Sequence, residues 1–203
     1  QGNYLPKRVG KVRDKWRMKD WCIIYSPSYF GGLELGVVPT ADPKSAIGRV
    51  VEKTLYEITG DFSQQHIKLY FQVTGLEGNK AETIFKGHEY SKDYLRSLVR
   101  RGSTRIDGVF NVATKDGYKL RVFVDAFSIS RVKTSQTSAI RAVMKKILEE
   151  KTTSLDFEQF IQEVVLGKTA SDIYNEAKRV LPIRHIGIRK CKLIATPTTP
   201  PKK

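Results

Sequence analysis

The residues of this chain with the plainest chemistry are its cations. Lys7, Arg8, Lys11, Arg13, Lys15, Arg17 and Lys19 recur at nearly alternate positions, with only Asp14 and Asp20 to oppose them. A second group is Arg96, Arg100, Arg101 and Arg105, and a third is Arg131, Lys133, Arg141, Lys145 and Lys146. Such groups suit phosphate. The planar guanidinium donates two parallel hydrogen bonds to one anion, and each docked cation releases counterions from a polyanion. One charge run taken alone reads equally well as a solvated surface. The three groups together, in a chain with 36 Lys and Arg against 21 Asp and Glu and a formal net charge of +15, favour a polyanionic partner, nucleic acid first.

Other chemistries find less support. His66, His88 and His185 sit on separate segments without HxxxH or HExxH spacing, so they read as structural or RNA-facing. There is no GxGxxG and no GxxxxGK[ST], hence no signal for a nucleotide loop. Asp107 and Asp125 fall on facing strands of one hairpin and could hold Mg²⁺ in a nuclease. The structural alternative puts Asp107 in a strand-end hydrogen bond and pairs Asp125 with an Arg or Lys. No nucleophile and general-base pair emerges, so neither enzyme nor cofactor is expected. Cys22 and Cys191 are far apart, without CxxC spacing, and read as packing thiols of a reducing compartment, with a long-range disulfide as the alternative. No apolar run approaches the roughly 18 to 20 residues that span a bilayer, and no signal-peptide core opens the chain; neither membrane nor secretion is expected.

The elements that must hold these cations divide the chain in two. Residues 1–20 read as a basic extension, free of any periodic stripe and ordered on a polyanion. Trp16 and Trp21 flank its end; Trp21 is expected to pack on the domain, and Trp16 to pack or to stack on a base. Residues 21–133 read as a β-rich core. Trp21 to Tyr25 is a short strand, followed by a loop punctuated by Pro27, Gly31, Gly32, Gly36, Pro39 and Pro43, then a β-rich segment over 47–58. Ile67, Leu69, Phe71 and Val73 alternate with polar residues in a half-buried strand that turns back through Ile84 and Phe85. One short helix, about 91–101, is capped by Ser91 and closed by Gly102. A second hairpin turns at Lys115-Asp116-Gly117, and its return strand, apolar on both faces from Leu120 to Phe127, is expected to be central or part of a covered barrel.

Residues 134–181 read as helical. Ile140, Val143, Met144, Ile147 and Leu148 form one stripe, with Arg141 and Lys145 on one flank and Lys146 on the other. A second helix runs through Phe157 to Val165 and stops at Gly167; a third opens with a capping box at Thr169–Asp172 and ends at Pro182. Residues 182–195 form a closing strand with a bulge expected between Ile188 and Cys191, and 196–203 a disordered Pro/Lys tail. The fold class is α+β: an antiparallel β-barrel-like core with a C-terminal set of helices and basic terminal extensions.

In this order the segments resemble the small-subunit ribosomal protein family shared by archaea and eukaryotes, eS-one of the S-three-a type. The likeness rests on Lys15-Trp-Arg-Met-Lys-Asp-Trp21, Gly48-Arg-Val-Val-Glu-Lys-Thr-Leu55, Thr114-Lys-Asp-Gly-Tyr-Lys-Leu-Arg-Val-Phe123, Arg131-Val-Lys-Thr-Ser-Gln-Thr-Ser-Ala-Ile-Arg141 and Pro182-Ile-Arg-His-Ile-Gly-Ile-Arg-Lys-Cys-Lys192. It is similar to the archaeal branch, which lacks the long C-terminal extension of eukaryotic members. Where the family signature after Gly48-Arg49 continues with Ser-Leu and an Asp-Leu pair, this chain has Thr54-Leu55 and Glu57-Ile58, a change of local packing. The resemblance implies a structural constituent of the small subunit, cytoplasmic on the ribosome. It implies a place on the platform near the mRNA exit, rRNA and neighbouring ribosomal proteins as partners, and mRNA as a further candidate contact. Two alternatives stand beside it: a metal-dependent RNA-processing enzyme built on Asp107 and Asp125, and a free RNA-binding regulator of translation.

Overall fold

The computed structural model describes Trp16 and residues 19–197. The remaining residues, with Lys7, Arg8, Lys11, Arg13, Lys15, Arg17 and most of the C-terminal tail, lie outside the described residues. Strand β1 (Asp20–Tyr25) pairs antiparallel with β2 (Glu34–Thr40), which occupies part of the expected loop. Glycine and proline read there as loop because they are poor strand formers. Among the described strands β2 pairs only with β1, and a free edge tolerates Pro39, which has no N–H to donate. β3 (Val50–Thr54) likewise stops short of the expected 47–58 segment, and α1 (Leu55–Thr59) takes over. Its local chemistry outweighs β propensity: the Thr54 N–H and hydroxyl both donate to Glu57 Oε1, at 3.2 and 2.9 Å, and Gly60 ends the turn at φ +76°.

β4 (Ile67–Glu77) and β5 (Lys80–Tyr90) form the first hairpin, with Ile67, Leu69, Phe71 and Val73 all buried, as their alternation requires. α2 (Lys92–Leu98) is capped by Ser91 Oγ, which accepts from the Tyr94 N–H at 3.3 Å. It is shorter than expected. Val99 is extended, and the freed Leu98 carbonyl accepts from the Arg184 guanidinium instead of from a further turn. β6 (Arg105–Ala113) and β7 (Lys119–Ser128) form the second hairpin, and β8 (Ile183–Ala195) lies on the other side of β7. The two-faced apolar strand is therefore central. The expected bulge is also present: Phe123 faces Lys190 and Val124 faces Ile188, which leaves Arg189 as the extra residue.

The sheet runs β2-β1-β5-β8-β7-β6, with β4 on the opposite edge of β5 and β3 beyond it. β5 joins everything: its first residues pair parallel with β1, Gly87, His88 and Glu89 pair with β8, and a register slip at Lys86 bends it between the two. All other pairings among the described strands are antiparallel. No ladder among the described residues joins β6 to β2 or β3, so the sheet is open and not a closed barrel.

Helices α3 (Thr134–Ser154), α4 (Phe157–Val165) and α5 (Lys168–Ala177) cover one side, α3 on β6 and α5 on β8. Ile140, Met144, Ile147 and Leu148 are buried and Val143 is half-buried, so the stripe does seat α3. Lys151 clamps the three helices, at 2.6 Å from Glu163 and 2.7 Å from Asp172. The expected capping box at Thr169 does not form; α5 already starts at Lys168 after Gly167, at φ +84°, and Thr169 is buried inside the helix. The Phe157 N–H at the start of α4 is satisfied from afar, by Asp116 Oδ2 at 2.9 Å in the second hairpin turn.

Candidate nucleic-acid interface

Two of the three cation groups meet at one end of the sheet. The mouth of the β6–β7 hairpin is tied together by Thr104 and Ser128. Ser128 Oγ accepts from the Thr104 N–H at 2.8 Å, Thr104 Oγ1 accepts from the Val132 N–H at 3.2 Å, and the Ile129 N–H donates to Pro182 O at 3.3 Å. Ser128 is buried, so these bonds fix the loops. They bring Arg100 and Arg101 beside Arg131 and Lys133, and all four are exposed with no acidic partner among the described residues. Lys178, Arg179 and Arg184, which sequence reading passed over, join the same end because the start of β8 lies opposite the end of β7. Only knowledge of that pairing could have placed them there; their own spacing carries no pattern.

The other described candidates are engaged by partners of the same chain. Arg141 Nε donates to Asp107 O at 2.8 Å, and its guanidinium is 3.5 Å from Asp107 Oδ1. Arg105 is 2.9 Å from Asp125. Lys145, Lys146 and Arg96 make exposed pairs one helical turn away, with Glu149 at 3.7 Å, Glu150 at 3.8 Å and Asp93 at 4.0 Å. Pairs of that kind are worth only about 0.3–0.5 kcal/mol and exchange readily for phosphate. Of the N-terminal group, Lys19 lies over the Trp16 ring at 4.2 Å, and Trp16 meets Trp21 edge-on at 6.5 Å. Trp21, expected to pack on the domain, lies on the outer β1–β2 pair and is 54% exposed, like Trp16 at 61%.

The carboxylates proposed for metal are occupied by arginines. Asp107 and Asp125 stand opposite each other, but Arg189, aimed by its bulge, is 3.2 Å from Asp125 as Arg105 approaches from the other side. Burial pushes the Asp125 carboxyl up, opposed by both guanidiniums. Asp125→Asn is expected to cost about 2 kcal/mol in a urea titration. That is less than the roughly 3–5 kcal/mol of a wholly buried pair, because both arginines keep access to water. An unchanged midpoint would show that the ion pair holds nothing.

Cys22 and Cys191 are buried, free thiols; burial raises Cys191 to about 12, and Cys22 Sγ is 3.2 Å from Thr40 Oγ1. His88 is buried in β5, whereas His66 and His185, far apart in sequence, both contact Tyr94, which spacing could not reveal. No described helix is long and apolar enough to cross a membrane.

The chain matches the model of the Ribosomal S3Ae family over residues 7–197. It is 48% identical over 192 residues to the small ribosomal subunit protein eS1 of Desulfurococcus amylolyticus, covering 95% of this chain and 90% of that one. It is 47% identical to the eS1 protein of Archaeoglobus fulgidus, covering 94% and 92%, and 45% identical to that of Sulfolobus acidocaldarius, covering 94% and 98%. With that agreement over nearly its whole length, and with the Arg131–Arg141 segment set at a basic sheet end, the chain belongs to the Ribosomal S3Ae family.

Proposed function

We propose that this chain is a structural protein of the small ribosomal subunit, acting in the cytoplasm by fixing rRNA in place and not as an enzyme. The observation that carries this reading is the convergence of Arg100, Arg101, Arg131 and Lys133 at one sheet end, with no acid among the described residues to neutralise them, in a chain of this family. An RNA backbone neutralises four such cations with release of counterions. Arg96, Lys145 and Lys146 extend the surface by trading exposed carboxylates for phosphates; Arg105 and Arg141 shape it from behind. The N-terminal cations Lys7 to Lys19, with Trp16, serve as a second arm on the same RNA. Placement on the platform, near the mRNA exit, with neighbouring subunit proteins and mRNA as further contacts, belongs to the same proposal.

The test is density-gradient sedimentation of a tagged chain together with filter binding to rRNA. The chain should co-migrate with small subunits, and its RNA affinity should fall steeply with salt. Reversing Arg131 and Lys133 to Glu should lower the salt slope by about 0.7–0.9 for each phosphate no longer neutralised and weaken assembly, while circular dichroism stays unchanged. A chain that binds RNA yet never enters subunits is the free regulator instead. Loss of fold in the double variant would mean the two faces of this segment have been misread.

A further inference from the structure

Beside the basic sheet end lies a cleft that phosphate contacts do not use. It opens between α2, the start of β4, the end of β5, the start of β8 and the α4–α5 junction, with a volume of about 400 Å³. Five rings line it. His66 and Tyr94 stack with centroids 3.9 Å apart and planes 29° apart, Tyr90 meets them edge-on at 5.2 and 5.6 Å, His185 meets Tyr94 at 6.3 Å, and Tyr174 stands on α5. Gly187 leaves room for two of these rings: a methyl group there would stand 2.9 Å from the Tyr90 ring and 3.2 Å from His185 Nε2. His185 Nε2 is buried and finds no hydrogen-bond partner among the described residues.

The electrostatics narrow the choice of ligand. Burial holds both His66 and His185 below their ordinary pKa, so the walls are neutral at pH 7 and offer flat rings with single donors and acceptors. At the mouth, Arg184 leads from the cleft to the end of α2 and on to Arg100 and Arg101. A group that is flat, apolar on its faces and tied to a phosphate chain satisfies the rings and the cations together. An aromatic side chain from a protein partner would satisfy the rings alone. We infer that this cleft receives one unstacked nucleobase of single-stranded RNA, held between the Tyr94–His66 stack and Tyr174 while the adjoining phosphates lie on the basic sheet end. The inference rests on the RNA-binding reading above and adds a base-stacking site to it.

The test uses the full chain and a short single-stranded RNA carrying one 2-aminopurine, whose fluorescence falls when it stacks on a ring. Binding should quench it. Tyr94→Ala should remove the quench and weaken binding by about 5- to 100-fold, in line with the loss of one stacked base, with the salt slope unchanged. Tyr94→Phe should restore both. Arg100→Glu with Arg101→Glu should do the opposite: a lower salt slope with the quench intact at saturation. If Tyr94→Ala fails to fold, Tyr174→Ala tests the opposite wall with the same expectation. Quenching that survives in both variants would place the base on Trp16 or elsewhere and overturn the inference. So would RNA binding by the unaltered chain without a quench, or a crosslink in assembled subunits from the cleft to a protein. Failure of the unaltered chain to bind RNA at all would instead remove the RNA-binding reading itself.

Discussion

Gly87→Val should destabilise the fold by about 3 kcal/mol, the upper end of what overpacking costs. A Cβ at Gly87 would stand 2.5 Å from the Cys191 carbonyl oxygen, a backbone atom that cannot swing aside. The contact lies in the shortest and most consequential antiparallel ladder of the sheet. β5 and β8 share only the pairs Gly87–Lys192, His88–Cys191 and Glu89–Lys190, and through them the β1–β5 half is joined to the β6–β8 half. Forcing the strands apart there loosens two halves of the core at once. Gly75→Ala is the control, because Gly75 also sits in a strand but a Cβ there meets nothing within 4 Å. In urea the Gly87 variant should unfold at a midpoint at least about 1 M lower, with the control within error of the unaltered protein. Equal midpoints for the two variants would remove the claim that this ladder is the joint.

The second large effect concerns acid. His88 lies in that same ladder, buried, with its Nε2 3.0 Å from the Ile188 carbonyl oxygen and its Nδ1 without a partner among the described residues. A neutral ring donates from Nε2 and leaves only a lone pair at Nδ1, whereas a second proton would bury a charge that nothing there accepts. Burial accordingly lowers its pKa from 6.5 to about 4, against smaller opposing effects of the Ile188 hydrogen bond and Glu89. Between these values the unfolded chain binds the proton and the folded one does not. The stabilisation is complete above pH 6.5 and drains away as pH falls towards 4, by about 3 kcal/mol over the whole interval. Urea midpoints at pH 7.5 and 4.5 should show most of that loss. His88→Gln, which can still donate to Ile188 but cannot titrate, should be less stable at neutral pH and much flatter between the two. A variant that keeps the full pH slope would assign it to other groups.

Much of the fold was legible because its residues advertise themselves locally. The alternation Ile67–Val73, the stripe Ile140–Leu148, the two-faced strand from Leu120 and even the phase slip at Arg189 are all written in the spacing of neighbours. What failed was of two kinds. In β2 and α1, composition and propensity pointed one way, and an edge position or a Thr54–Glu57 cap decided the other. At the candidate interface the deciding contacts span long stretches of chain. That Arg141 would answer Asp107, that Arg105 and Arg189 would share Asp125, and that His66 and His185 would meet over Tyr94 are matters of sheet order, which periodicity does not encode. The cations themselves were easy to see; which of them remained unneutralised was not.

The position of β8 also has a consequence in time. It follows the other seven described strands and all five described α-helices in the chain, yet it lies inside the sheet between β5 and β7. A nascent chain leaving the ribosome can form its hairpins early, but each half keeps an unpaired edge until residues 183–195 emerge. Completion of the fold is thereby deferred until that strand has been made. The same closing event brings Arg184 to Leu98 and sets the basic sheet end in its final form, so a truncated product would be expected to lack the finished RNA surface along with the finished core.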